Sequence, residues 1–209
     1  MTSPLVLILS CLSLSASAAP SLESLASAEL SLPVITPFQA AVNPPRRRRH
    51  HRHPGTITGG MNASQVDLVW NRAGGRLTGG VNGAPVDLQV DSINKTIKGG
   101  ANGAPVDMTF EWSPEKASYK GGAGAPVDLT LDYENKLLEG TAAHSQVRVE
   151  FDLEKGTAKG YANHAPVDLT YDAQTGKLTG AMNHAQVDLQ LVRLDLSDIL
   201  ENFFLFLKP

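Results

Sequence analysis

Cysteine is almost missing from this sequence. The single one, Cys11, lies inside Leu5–Leu14, a 10-residue apolar run followed by Ala16-Ser17-Ala18. An apolar run of that length before an A-x-A pattern reads as a secretory signal peptide over residues 1–18. No lysine or arginine precedes the run, and Leu9 stands where a lipoprotein signal calls for a small residue. Lipidation is therefore the lesser reading. Cleavage after Ala18 leaves a mature chain without cysteine, which excludes disulfides, metal–thiolate centres and cysteine nucleophiles from it. The expected location is secreted, periplasmic or cell-envelope.

Long apolar stretches are missing too. None reaches the roughly 20 residues of a transmembrane helix. Aromatic residues are 6% of the chain, too few for the two aromatic girdles of an outer-membrane barrel. No Ser/His/Asp arrangement, phosphate-binding glycine loop or glutamate–histidine helix motif is present. The expectation is a protein that is not an enzyme and carries no cofactor.

What the sequence does have is a repeat of about 20 residues, written seven times between Ile57 and Leu191. Aligned on Val-Asp-Leu, its central residue is Asp67, Asp87, Asp107, Asp128, Arg148, Asp168 and Asp188. Valine precedes it in every copy, and an apolar residue follows. Two positions further come Trp70, Val90, Phe110, Leu131, Phe151, Tyr171 and Leu191. Apolar residues at alternate positions predict a half-buried strand, here strand A. A shorter strand B precedes it, as in Leu77-Thr78-Gly79 or Ile97-Lys98-Gly99, with glycine in all seven copies. Glycine within a strand marks a bend, a bulge or a close approach. A packing role beneath the aromatic column of the next strand is expected for it.

Between B and A stand turns such as Asn82-Gly83 and Asn102-Gly103, the strongest short hairpin signal. Polar stretches such as Ala173-Gln174-Thr175-Gly176 link A to the next B. A parallel solenoid would stack the aspartates about 4.8 Å apart, at roughly 1 kcal/mol of repulsion per neighbour even in water. An antiparallel meander spaces them near 10 Å and sets threonine or lysine of strand B beside them. The prediction is all-β: an antiparallel up-and-down meander of about 14 short strands over residues 56–194, closed or flattened as a barrel or sandwich.

A round barrel of that size is roughly 28 Å across, more than leucine and valine of the wall can fill. The apolar tail over residues 195–209, with Phe203-Phe204-Leu205-Phe206-Leu207, is the candidate cap or plug. Asp195 or Ser197 is its expected helix cap. A final strand, or an interfacial foot on a membrane or partner, is the rival reading of this tail.

Residues 19–55 form a Pro/Ser-rich linker expected to be disordered, ending in a basic run. Arg46, Arg47, Arg48, Arg49 and Arg52 are the candidate residues for an anionic surface, whether lipid headgroups, polysaccharide or nucleic acid. Residues 55–209 carry 13 Lys+Arg against 19 Asp+Glu, a net charge of −6, so contact of the arm with its own acidic domain and dibasic processing are further readings. His50, His51 and His53 offer at most weak transition-metal binding.

His144, His164 and His184 share one turn position and are read as turn residues; no metal site is expected. Asn62-Ala63-Ser64 and Asn94-Lys95-Thr96 match glycosylation sequons. The functional expectation is an exported, non-catalytic structural or adhesive/binding module at a cell envelope or extracellular surface. A membrane-associated barrel pore and a small-ligand carrier with an internal cavity are the alternatives.

Overall fold

A computed structural model describes residues 53–207. The signal-peptide and arginine readings, and the linker reading up to residue 52, lie outside them. The described chain forms seven hairpins. They are β1 (Gly55–Met61) with β2 (Ser64–Asn71), β3 (Arg76–Val81) with β4 (Ala84–Asp91), and β5 (Thr96–Ala101) with β6 (Ala104–Trp112). Next come β7 (Lys116–Ala123) with β8 (Pro126–Asp132), and β9 (Leu137–Ala142) with β10 (Ser145–Asp152). The last two are β11 (Thr157–Ala162) with β12 (Ala165–Asp172), and β13 (Lys177–Met182) with β14 (Ala185–Val192). Each strand pairs antiparallel with its sequence neighbours, and β1 pairs with β14 through Ile57 opposite Leu191, so the meander closes into a barrel. Closure leaves no unpaired edge strand among the described residues.

Alternation sets the two faces of the wall. In β2 the sequence Val66-Asp67-Leu68 reads buried, exposed, buried, and the same order recurs along every even strand. The outward column is paired by charge. Arg76 meets Asp87 at 2.9 Å, Lys120 meets Asp128 at 3.4 Å and Lys159 meets Asp168 at 3.2 Å. Where Arg148 replaces the aspartate, Glu139 replaces the cation, and the pair forms at 3.5 Å with its signs exchanged. These pairs are exposed and individually worth little. Their value lies in reporting register, since Arg148 stands directly opposite Glu139.

The strand-B glycine has a different neighbour from the one expected. Aromatic side chains do not lie over it: Trp70 stands opposite Gly55 and Leu77, and Phe110 opposite Tyr119. Backbone presses on it instead. Gly79 has φ +135°, and a Cβ there would stand 1.9 Å from the Asp67 carbonyl oxygen of the preceding A strand. The same carbonyl contact recurs at Gly140 and Gly180 against Asp128 and Asp168. L-residues rarely adopt that conformation, which costs about 1–3 kcal/mol. Gly79→Ala is therefore expected to lower stability by at least that amount, measured by urea unfolding. Gly60→Ala is its control, because nothing lies within 4 Å of an added Cβ there.

The interior is filled by the C-terminal segment. Helix α1 (Leu196–Glu201) and helix α2 (Phe203–Phe206) are too short to persist alone. Burial holds them: Phe203, Leu205 and Phe206 are fully buried, in one core cluster with the inward side chains of the wall. Asp195 caps α1 through Ser197 N at 2.9 Å, and Asp198 returns a bond to Asp195 N at 2.9 Å. The acidic capping box thus begins where the chain turns back into the lumen. The tail is a plug, neither a last strand nor an external foot.

Candidate functional site

The two ends of the barrel are built differently. At one end, six of the seven B-to-A hairpins turn on two residues of positive φ, such as Asn82 at 53° and Gly83 at 78°, the primed geometry that matches strand twist. The fourth hairpin carries positive φ at Gly124. His144, His164 and His184 occupy the second turn position with φ of 59–60° and are exposed, as turn residues.

The first turn position does more. Asn62, Asn82, Asn102, Asn163 and Asn183 aim their amides over the lumen. Asn163 Nδ2 donates to Asn183 Oδ1 at 3.2 Å, Asn183 to Asn62 at 2.9 Å, Asn62 to Asn82, and Asn82 to Asn102 at 3.1 Å. The amides also donate to the plug's last carbonyls: Asn183 to Phe206 O at 2.8 Å, Asn102 to Leu205 O at 3.2 Å and Asn82 to Leu207 O at 3.4 Å. A helix end leaves its final carbonyls without partners in the helix, and the asparagine arc supplies them. This end is closed.

Sequence reading assigned these asparagines to turn conformation alone. The available signal was persistence: asparagine holds the first position in five copies while the second varies among Ala, Gly and His. The sequons divide accordingly. Asn62 is buried in the arc, whereas Asn94 is exposed at a turn tip.

At the opposite end the A-to-B turns form an open rim. Five of the six are organised by an Asx interaction, as where Asp91 accepts from Ile93 N and Asn94 N at 2.9 Å, and at the β6–β7 turn the Ser113 hydroxyl accepts from Lys116 N at 3.1 Å instead. Asp152 accepts from Glu154 N and Lys155 N at 3.0 Å. Bonding to Lys155 N and to Lys136 holds the Asp152 carboxyl well below the usual range, at about 2. Polar contacts tie the C-terminal segment to this rim. Tyr133 donates to Glu201 at 2.8 Å, Tyr171 donates to Leu194 O at 3.0 Å, and Arg72 pairs with Asp198. Burial raises the Asp198 carboxyl to about 6, with the Arg72 charge opposing it.

The plug does not fill this rim evenly. Leu131, Phe151 and Leu191 are buried, whereas Trp70, Val90 and Phe110, at the same strand position in β2, β4 and β6, are half-buried. Beside them lies a cleft of about 710 Å³, walled by Trp70, Val90, Ile97, Phe110, Trp112 and Tyr119. Arg72, Asp91, Ile93, Lys95 and Glu201 also line it. Small-molecule sites have this size and this mixture of apolar wall with a few polar groups.

Comparison of the chain with protein-family models, curated proteins and solved structures finds no match. The cleft must therefore be read from its own chemistry. Among the described residues no group of three or more His, Asp or Glu side chains could hold a metal ion. The candidate anionic-surface residues Arg46, Arg47, Arg48, Arg49 and Arg52 lie outside the described residues. Their point of attachment is described: Pro54 O accepts from Arg193 at 3.3 Å, and Gly55 packs against Leu194. The chain enters β1 at the cleft rim.

Proposed function

We propose that this is an exported, non-catalytic β-repeat protein acting as a binding module at a cell envelope or extracellular surface, with its basic arm engaging an anionic surface. The observation that carries this reading is the attachment of the arm. Arg46 lies eight chain steps before Pro54, at most about 29 Å of extended chain. The five arginines are thereby tied to the rim that exposes Ile93, Trp112 and Leu153.

The outer wall favours an aqueous setting over a pore. Its central column is charged, and charged side chains on a lipid-facing barrel wall cost about 2–4 kcal/mol each near the bilayer midplane. A lumen occupied by Phe203–Leu207 also leaves no open channel along the axis.

Sedimentation with phosphatidylserine-containing and phosphatidylcholine-only vesicles tests the proposal. The mature chain, residues 19–209, is expected to bind only the anionic vesicles at about 0.01 M salt, where the Debye length is roughly 30 Å, and to be released at about 1 M, where it is roughly 3 Å. Replacing the five arginines by serine should abolish binding. Binding that ignores salt and this replacement would reject the role of the arm.

A further inference from the structure

We infer that the rim cleft binds an uncharged, planar aromatic small molecule. This rests on the reading of the protein as a binding module and names the class of its ligand. The walls set the shape. Both tryptophans of the chain, Trp70 and Trp112, line the cleft beside Phe110 and Tyr119. Phe110 and Tyr119 stand opposite each other on β6 and β7 and stack, with ring centroids 6.4 Å apart and an interplanar angle of 27°. Trp70 and Phe110 are half-buried, and Trp112 is 51% exposed. The plug thus leaves aromatic surface uncovered on this side of the rim. A flat ring system gains most from such walls, through offset stacking and edge-to-face contact. A volume near 710 Å³ suits one small ligand rather than a folded partner.

The neutrality of the ligand follows from how the charged lining groups are already used. Arg72 and Lys95 line the cleft together with Asp91 and Glu201, so the two signs balance. Arg72 pairs with Asp198. Asp91 accepts from Ile93 N, Asn94 N and Asn94 Nδ2, and Glu201 accepts from Tyr133. Lys95 is exposed, where an ion pair gains little over hydration. An ion of either sign would lose water inside the cleft without a counter-charge held ready for it. A neutral ring system avoids that cost.

Phenylnaphthylamine is the probe, and anilinonaphthalenesulfonate is the same ring system carrying a negative charge. Both brighten on leaving water and accept energy from tryptophan, so the cleft's own tryptophans report occupancy. Titrating the mature chain is expected to give saturable energy transfer to phenylnaphthylamine at one site per chain. The sulfonate should bind about tenfold more weakly. Naphthol should displace the probe. Heptanol, an uncharged alcohol of similar hydrophobicity without a ring, should compete about fivefold less well. Phe110→Leu keeps an apolar wall but removes a ring, and should weaken phenylnaphthylamine by a similar factor while leaving heptanol unchanged. Melting curves check its folding, and the wild-type comparisons decide the question without it.

Absence of saturable transfer would overturn the inference. So would a sulfonate that binds as tightly as the neutral probe, or heptanol that competes as well as naphthol. The arginine-to-serine arm variant separates the two proposals, since it should lose vesicles and keep phenylnaphthylamine. Wild-type protein that takes up phenylnaphthylamine but ignores anionic vesicles would remove the surface reading alone. The reverse result would remove the cleft reading alone.

Discussion

Phe206→Ala is expected to cost about 3–5 kcal/mol of folding stability, the range for truncating a buried aromatic side chain. The residue is the fourth from the end of the chain and belongs to a four-residue helix. Such a position would ordinarily fray and tolerate any change. Here its ring is fully buried against the barrel wall, and its carbonyl accepts from Asn62 and Asn183. Removing the ring leaves a void between wall and plug that the hydrogen-bonded barrel cannot collapse to fill. Urea unfolding followed by circular dichroism should show a lowered midpoint with an unchanged slope. Ile93→Ala, at an exposed turn tip, should shift stability by no more than about 0.5 kcal/mol. Equal small effects at both positions would mean that the tail is not part of the core.

Arg72→Met should be as severe at neutral pH and much milder in acid. Asp198 is buried, and Arg72 is its ion-pair partner. Removing one member of a buried pair costs about 3–5 kcal/mol because the other charge is left uncompensated. The sign of the pH dependence follows from protonation. The folded-state carboxyl is raised to about 6 from an ordinary 3.8. Burial therefore penalises folding increasingly as pH rises from about 4 to 6, and not at all once the group is protonated in both states. Without Arg72 the carboxyl rises further, so the variant should approach wild type near pH 4. The rim aspartates act in the opposite direction. Asp152, held at about 2, supplies stability above pH 4 that is lost as pH falls towards 2. Melting curves of both proteins from pH 3 to 8 check the pattern; a loss that is constant across that range would reject the buried-pair account.

Most of the wall was legible because period-2 alternation and charge bear on the same choice. Valine before the central residue in all seven copies fixes the inward face, and like charges at strand spacing disfavour the solenoid. The Glu139–Arg148 exchange was a further register signal, readable only once both members are placed opposite each other. The glycine column misled because a single sequence shows that a side chain is missing and not what takes its place. Backbone carbonyls such as that of Asp67 occupy the space, and they leave no mark in residue type.

The asparagine arc was hidden for a related reason. Positive φ already explains an asparagine in a tight turn, so a second role adds nothing visible at any one copy. The cleft could not be read at all. It arises from the plug covering Leu131 and Phe151 more fully than Val90 and Phe110, an asymmetry of packing between segments distant in sequence.

The C-terminal segment is an integral part of the barrel's core. Native-state hydrogen exchange, resolved for the amides of Ile199–Leu207, tests it most directly. If the plug unfolds only with the wall, these amides exchange with the same opening free energy as those of β2 and β14. Exchange at the rate of a free peptide, with the strands still protected, would contradict the account.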